Sequence, residues 1–192
     1  MCNRYRMTAG RRAIAERYGI KVEPEYENLP PPELFPKRPA WVVRQEDGER
    51  RADIMRWGVP FNGKPITNVR NLQSGFWRNM LANPERRCLV PVTDFCEWSG
   101  EKGSKREHWF SLPAAPIFSF AGIWRPSEEG DVFAFLTCGY LGDPANHLVG
   151  AIHDKAIPVI LQAEDEQRWL DGDYADACSL AIPFPSQLMS VA

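Results

Sequence analysis

The chain is poor in the groups that usually carry acid–base chemistry near neutral pH, and it lacks the motifs that hold cofactors. It has 3 histidines, His108, His147 and His153, so few side chains have an ordinary pKa inside the physiological window. Its 5 cysteines show no CxxC spacing, which argues against a disulfide framework and against a common zinc motif, so they are read as reduced thiols. Without a metal-ligand cluster or a nucleotide-binding glycine loop, no metal and no cofactor is expected. No apolar run approaches the ~18 to 20 residues that a membrane span needs, and the start is too polar for a secretory signal. The expectation is therefore a cytosolic protein with no membrane partner. Internal repeats are absent, and the one biased segment is rich in proline.

What is present fits one globular unit. At 192 residues, with 44% hydrophobic and 25% charged residues, the chain is long enough to bury a substantial core and is read as a single domain over 1–192. The net charge of −2 hides an asymmetry, with +7 over residues 1–125 and −9 over residues 126–192. Such a chain either turns a positive face toward an anionic ligand or intermingles its charges on folding.

Taken in order, Thr8 is placed to cap a helix running through Ile14 to Tyr18, with Gly19 in the stop position. Six prolines between residues 23 and 39 predict an extended surface loop there. Trp41–Val43 and Ile54–Trp57 flank Asp47-Gly48, a hairpin signal. Phe76, Trp77, Met80 and Leu81 repeat with helical spacing up to Asn83-Pro84. Cys88–Trp98 reads as a strand that Pro91 either breaks or confines to an edge or bulge. Strands follow at 109–112, 117–124, 132–138 and 158–161, then a helix at 163–170. The sum is an α+β chain whose core is mainly antiparallel β-sheet or an irregular barrel, with a few flanking helices.

The chemistry centres on Cys2. When the initiator methionine is trimmed, the residue left behind carries an α-amine with a pKa near ~8 and a thiol near ~8.5 on adjacent carbons. Both are nucleophiles, and together they can condense with one aldehyde to a thiazolidine. The plainer alternative is an early residue in a frayed terminus. His153, between an apolar run and Asp154-Lys155, is the favoured general acid or base among the histidines, set against a structural role. Glu97, between Phe95-Cys96 and Trp98, is either a partly desolvated carboxyl of raised pKa or an exposed glutamate at a hairpin end. Asn68 either positions a substrate through its amide or makes a turn.

Read as an ordered set, these segments resemble the SOS response-associated peptidase (SRAP) family, whose domain covalently captures abasic sites in single-stranded DNA. Met1-Cys2-Asn3-Arg4-Tyr5 is similar to the family's Met-Cys-Gly-Arg-Tyr/Phe. Arg56-Trp57-Gly58-Val59-Pro60 is similar to Arg-Trp-Gly-Leu-x-Pro, and Asn68-Val69-Arg70 to Asn-Ala-Arg. Arg87 to Trp98 resembles Arg-Cys-Leu-x-Pro-Ala-Asp-Gly-Phe-Tyr-Glu-Trp. Thr137, Asn146 and the run from Ile152-His153-Asp154-Lys155 to Leu161 resemble Thr, Asn and Ile-His-Asp-Arg-Met-Pro-Val-Ile-Leu. The likeness spans nearly the whole chain.

The resemblance implies a site made of Cys2, Asn68, Glu97 and His153. Cys2 would attack the aldehyde, Glu97 would accept and donate protons around imine formation, and Asn68 would hold the terminus or the sugar. His153 would protonate the sugar oxygen on ring opening, and the same residues would remove Met1. Arg4, Arg70 and Lys155 would meet phosphates, Thr137 would lie along the strand, and Trp57 and Trp98 would wedge or stack at the lesion, unless the tryptophans are core. The implied partner is single-stranded DNA with abasic sites, bound by a monomer in the cytosol or on the nucleoid. Asn3 in place of glycine, Cys96 in place of an aromatic residue, Lys155 in place of arginine and a short stretch between Gly58 and Asn68 depart from the family pattern. Two other readings suit the same residues: an N-terminal-nucleophile amide hydrolase, or a single-strand binding module whose site is degenerate.

Overall fold

A computed structural model of the protein describes residues 2–20, 29–101 and 103–192. In chain order these form β1 (Tyr5–Arg6), α1 (Arg11–Tyr18), β2 (Glu33–Leu34), β3 (Pro39–Glu46), β4 (Glu49–Trp57), β5 (Val59–Phe61), β6 (Lys64–Ile66) and β7 (Asn68–Val69). There follow α2 (Gly75–Ala82), β8 (Arg87–Val92), β9 (Asp94–Ser99), β10 (Arg106–Ser111), β11 (Phe118–Arg125) and β12 (Val132–Cys138). The chain finishes with β13 (Ile157–Pro158), β14 (Ile160–Leu161), α3 (Glu166–Asp171), α4 (Tyr174–Ser179) and β15 (Ser190–Val191).

Strands β12, β4, β3, β8 and β11 pair in a ring that closes when β11 returns to β12, so the main sheet is a small barrel. Its pairings are antiparallel except where β12 runs parallel to β4 and to β7. A second, antiparallel sheet in the order β15-β10-β9-β1-β2 lies against it. The expected α+β architecture, mainly antiparallel with a barrel core, is met.

The β3–β4 hairpin turns at Asp47 and Gly48, with φ of 51° and 81°, the two positive angles of a tight hairpin turn. Helix α2 ends at Asn83 as its apolar spacing predicts. Helix α1 stops at Gly19, but its N-cap is Gly10 and not Thr8; the Thr8 amide instead donates to Thr93 Oγ1 at 3.3 Å, tying the terminus to the sheet. Part of the proline-rich stretch, residues 21–28, lies outside the described residues. The rest is not all loop, because Glu33–Leu34 pairs with Tyr5–Arg6 and Pro39 already opens β3. The segment expected as one strand at 88–98 is two, and the break falls at Thr93. Pro91 stays inside β8 opposite Ser119, whereas the Thr93 amide donates to Arg6 O at 2.8 Å and carries the chain from the barrel to the second sheet.

Tyr5, Trp57, Phe120 and Phe135 meet inside the barrel, Tyr5 edge-on to Trp57 at 5.1 Å and Trp57 stacked on Phe135 at 5.3 Å. This cluster fixes β1, β4, β11 and β12 against one another. The charged halves of the chain intermingle at several points: Glu166, buried in α3, accepts from Arg17 and Arg50, and Glu129 pairs with Arg56.

Candidate functional site

The N-terminus does not fray. Strand β1 lies between β2 and β9, with Tyr5 opposite both Leu34 and Phe95, and this seats Cys2 inside the protein at 1% exposure. Its Sγ lies 3.5 Å from the Arg4 carbonyl oxygen, to which the thiol donates. Burial, and after it the nearby Glu97 carboxylate, push the thiol well above its ordinary pKa. The buried thiol is therefore harder to ionise than the ordinary value near ~8.5 implies. At rest Cys2 is a protonated thiol that needs a base.

Strand β9 supplies that base. Side chains two apart share a face, so Phe95 and Glu97 point the same way, and Phe95 is in the core, stacked on Phe110. Glu97 is 2% exposed, and its Oε1 has no hydrogen-bond partner among the described residues. Its Oε2 stands 3.9 Å from His153 Nδ1. Loss of hydration raises the carboxyl to about 7, which lets it both give and take a proton near neutral pH. Burial lowers the imidazole of His153; Asp154 acts against that shift, and Lys155 and Arg70 add to it. Neutral His153 beside a half-protonated Glu97 is the resulting state.

The other histidines are committed elsewhere. His147 Nε2 lies 2.8 Å from Phe184 O while its Nδ1 accepts from the Val149 amide, a pair of bonds that fixes the neutral Nε2–H tautomer. His108 shares a 2.7 Å contact with Ser99 Oγ. The turn that carries His153 is held by the His153 amide donating to Val149 O at 2.7 Å and by Tyr140 OH donating to His153 O at 2.7 Å.

Asn68 comes in on β7, paired with Phe135 of β12 and 7% exposed. Both atoms of its amide lack a partner among the described residues, and so does Thr137 Oγ1, two residues along β12 and 2% exposed. An unmet buried polar atom costs ~1 to 3 kcal/mol, so three such atoms on the paired strands β7 and β12 mark a place suited to a polar ligand. A cleft of about 430 Å³ opens beside Asn68, walled by the β5–β6 hairpin from Phe61 to Thr67. Gly58, at φ 122°, makes that wall possible: a Cβ there would sit 2.6 Å from the Pro65 Cβ. A second cavity, about 750 Å³ between α1 and the β3–β4 turn, contains none of the candidate residues.

The residues expected to meet DNA divide into three groups. Arg70 and Lys155 are exposed. Arg4 is half-buried and already held, with Nε on Glu33 and Nη1 on Glu107 and its guanidinium 5.8 Å from the Trp98 ring. Trp57 is not a surface wedge: it has no exposed area, it stacks in the core, and its Nε1 donates to Thr67 O at 3.1 Å, holding the backbone just before Asn68. Sequence reasoning missed Tyr140, Glu33, Glu107 and Trp109. The alternation of Glu107 and Trp109 in β10 was a usable signal for two of them. No group of three or more His, Cys, Asp or Glu among the described residues is placed to hold a metal ion.

The fold and these residues define a closed barrel with a flanking sheet and a buried, near-terminal cysteine near a buried glutamate that faces a histidine, with a buried asparagine on the barrel. That class has a family. The sequence profile of the SOS response associated peptidase (SRAP) family matches residues 1–192, and the chain belongs to it. It is 27% identical to the abasic site processing protein YoqW of Bacillus subtilis (strain 168), with 98% of this chain and 90% of that one covered, and it matches the protein of the same name from Bacillus phage SPbeta equally. Among solved structures, a Bordetella bronchiseptica protein superposes with TM-score 0.81 at 21% identity, covering 100% of this chain and 98% of that one. A Bacteroides thetaiotaomicron protein superposes with TM-score 0.77 at 22% identity, covering 99% and 90%. These two share the fold.

Proposed function

We propose that this protein captures abasic sites in single-stranded DNA as a covalent adduct on Cys2 after Met1 is removed. The observation that carries the proposal is the buried Cys2 thiol set against the buried Glu97 carboxyl, itself 3.9 Å from His153, together with the polar atoms of Asn68, Glu97 and Thr137 that lack a partner among the described residues. With Met1 attached, the Cys2 nitrogen is an amide and cannot form an imine; with Met1 removed it is an amine. That amine adds to the aldehyde of the ring-opened deoxyribose and water leaves to give the imine. The thiol then adds to the imine carbon, its proton passing to nitrogen, and a thiazolidine results. Glu97, poised near neutral, takes and returns the protons of carbinolamine formation and water loss. His153 donates to the sugar oxygen during ring opening, and Asn68 and Thr137 hydrogen-bond the sugar. Arg70 and Lys155 meet the flanking phosphates, and Trp98 offers its free edge to a neighbouring base. The peptide-bond cleavage that frees Cys2 uses the same Glu97 and His153, and the protein acts as a monomer on cytosolic or nucleoid DNA.

Intact-protein mass spectrometry tests this directly, before and after incubation with a single-stranded oligonucleotide bearing one abasic site, with Cys2→Ala in parallel. The expected result is a free protein lacking Met1 and an oligonucleotide-sized increment that survives denaturation and is absent from Cys2→Ala. A processed terminus that gives no increment would sink the proposal.

A further inference from the structure

The outer face of the sheet formed by β10, β9, β1 and β2 carries two guanidinium groups and three carboxylates within one network. Arg4 gives Nε to Glu33 Oε1 and Nη1 to Glu107 Oε1, each at 2.5 Å. Arg6 lies 3.3 Å from Asp94 and 3.7 Å from Glu33, and its guanidinium sits 3.5 Å from the centre of the Trp109 ring. Arg4 is two residues from Cys2 and packs near the rings of Phe35, Trp98 and Trp109 at 5.4, 5.8 and 5.0 Å. It is therefore a fixed cation close to Cys2 in the chain, with its Nε and Nη1 donors taken by carboxylate oxygens. Carboxylate and phosphodiester oxygens suit the same guanidinium fork.

The two carboxylates on Arg4 are not equivalent. Glu33 is shared with Arg6 and belongs to β2, which pairs with β1. Glu107 is the more exposed, at 39% against 32%, and its other oxygen accepts from Trp109 Nε1 at 3.1 Å. We propose that Glu107 occupies the phosphate seat on Arg4 and must swing away before a strand can use it, so that it weakens binding to undamaged single strands. A strand held only through its phosphates meets this competition throughout its residence, whereas an abasic strand is retained once the bond to Cys2 has formed. Glu107 thus acts as a discriminating residue, and its role rests on the reading of the site given under Proposed function.

The test is a salt titration of binding to an undamaged, fluorescent single-stranded oligonucleotide, using the full chain as wild type, Glu107→Gln, Arg4→Gln and the double variant. Adduct formation on an abasic oligonucleotide is recorded separately for each. Glu107→Gln is expected to bind the undamaged strand about threefold to fivefold more tightly at low salt. Its plot of log affinity against log salt is expected to steepen by about 0.7, the increment for one further phosphate contact on a single strand. Both changes should vanish in the Arg4→Gln background, and Glu107→Ala should repeat the gain with a different side chain. Unchanged or weaker binding by Glu107→Gln, or a gain that persists without Arg4, would overturn the inference while wild-type adduct formation stood. Absence of both binding and adduct in the wild type would overturn it together with the proposed function.

Discussion

His153 Nδ1 stands 3.9 Å from Glu97 Oε2, and burial inverts the ordinary order of the pair, raising the acid to about 7 and lowering the base. The carboxyl, not the imidazole, is then the group that holds a proton near neutral pH, which suits a reaction in which Glu97 both takes and returns protons. Replacing Glu97 with glutamine should slow adduct formation by about 10²-fold to 10⁴-fold, measured as the rate of crosslinking to an abasic oligonucleotide.

The same substitution carries a stability signature. The folded-state pKa of Glu97 lies above its ordinary value of 4.5, so the native protein binds this proton more tightly than the unfolded chain does. That contribution is complete below pH 4.5 and is lost as pH rises through about 7. Glu97→Gln should therefore match the wild type near pH 4.5 and exceed it at pH 8, by an amount on the order of 3 kcal/mol. Urea denaturation at the two pH values measures the difference.

Thr137 Oγ1 gives up hydration without a hydrogen-bond partner among the described residues. Thr137→Val keeps the shape and removes the unmet hydroxyl, so stability should stay level or rise by about 1 kcal/mol while crosslinking slows. A variant that is less stable and crosslinks at the wild-type rate would show that the hydroxyl serves the fold.

Tyr140 OH donates to the carbonyl oxygen of His153. Tyr140→Phe should cost about 1 kcal/mol in stability. It should also displace the limb of the pH–rate profile that reports His153, a change that a loss of packing elsewhere would not produce.

Glu166, 1% exposed, accepts from Ser119 Oγ at 2.6 Å as well as from Arg17 and Arg50. Glu166→Ala leaves two guanidinium groups without their buried carboxylate and should lower stability by about 3 to 5 kcal/mol in chemical denaturation. Crosslinking below the unfolding transition should be unaffected, because this network lies in the contacts of α1, α3, β11 and the start of β4, and includes none of the candidate site residues.

The parts of the fold written in local chemistry were legible from sequence. Asp47-Gly48 announced its hairpin, and the spacing of Phe76, Trp77, Met80 and Leu81 announced α2. The break at Thr93 was not legible, because proline is the stronger local signal and Thr93 turns only on account of Arg6, remote in sequence. The fate of Trp57 was hidden for the same reason: whether an aromatic residue faces solvent or core depends on Tyr5, Phe120 and Phe135, which no local window contains. The candidate site residues were named because five short motifs stood in order, and the raised carboxyl of Glu97 was legible from its apolar neighbours. The upward shift of the Cys2 thiol was not, since it comes from burial beneath a strand pairing between residues near 5 and near 95. The carboxylate grip on Arg4 likewise joins three strands that are distant in the chain.

The seating of β1 between β2 and β9 also sets a schedule for synthesis. Cys2 is made well before the residues that bury it. Strand β9 must then emerge and set Phe95 across from Tyr5, bringing Glu97 in with it, and His153 emerges later still, after β12. The buried setting of Cys2 is therefore withheld until synthesis has passed His153, and until then its thiol stands without Glu97 and His153.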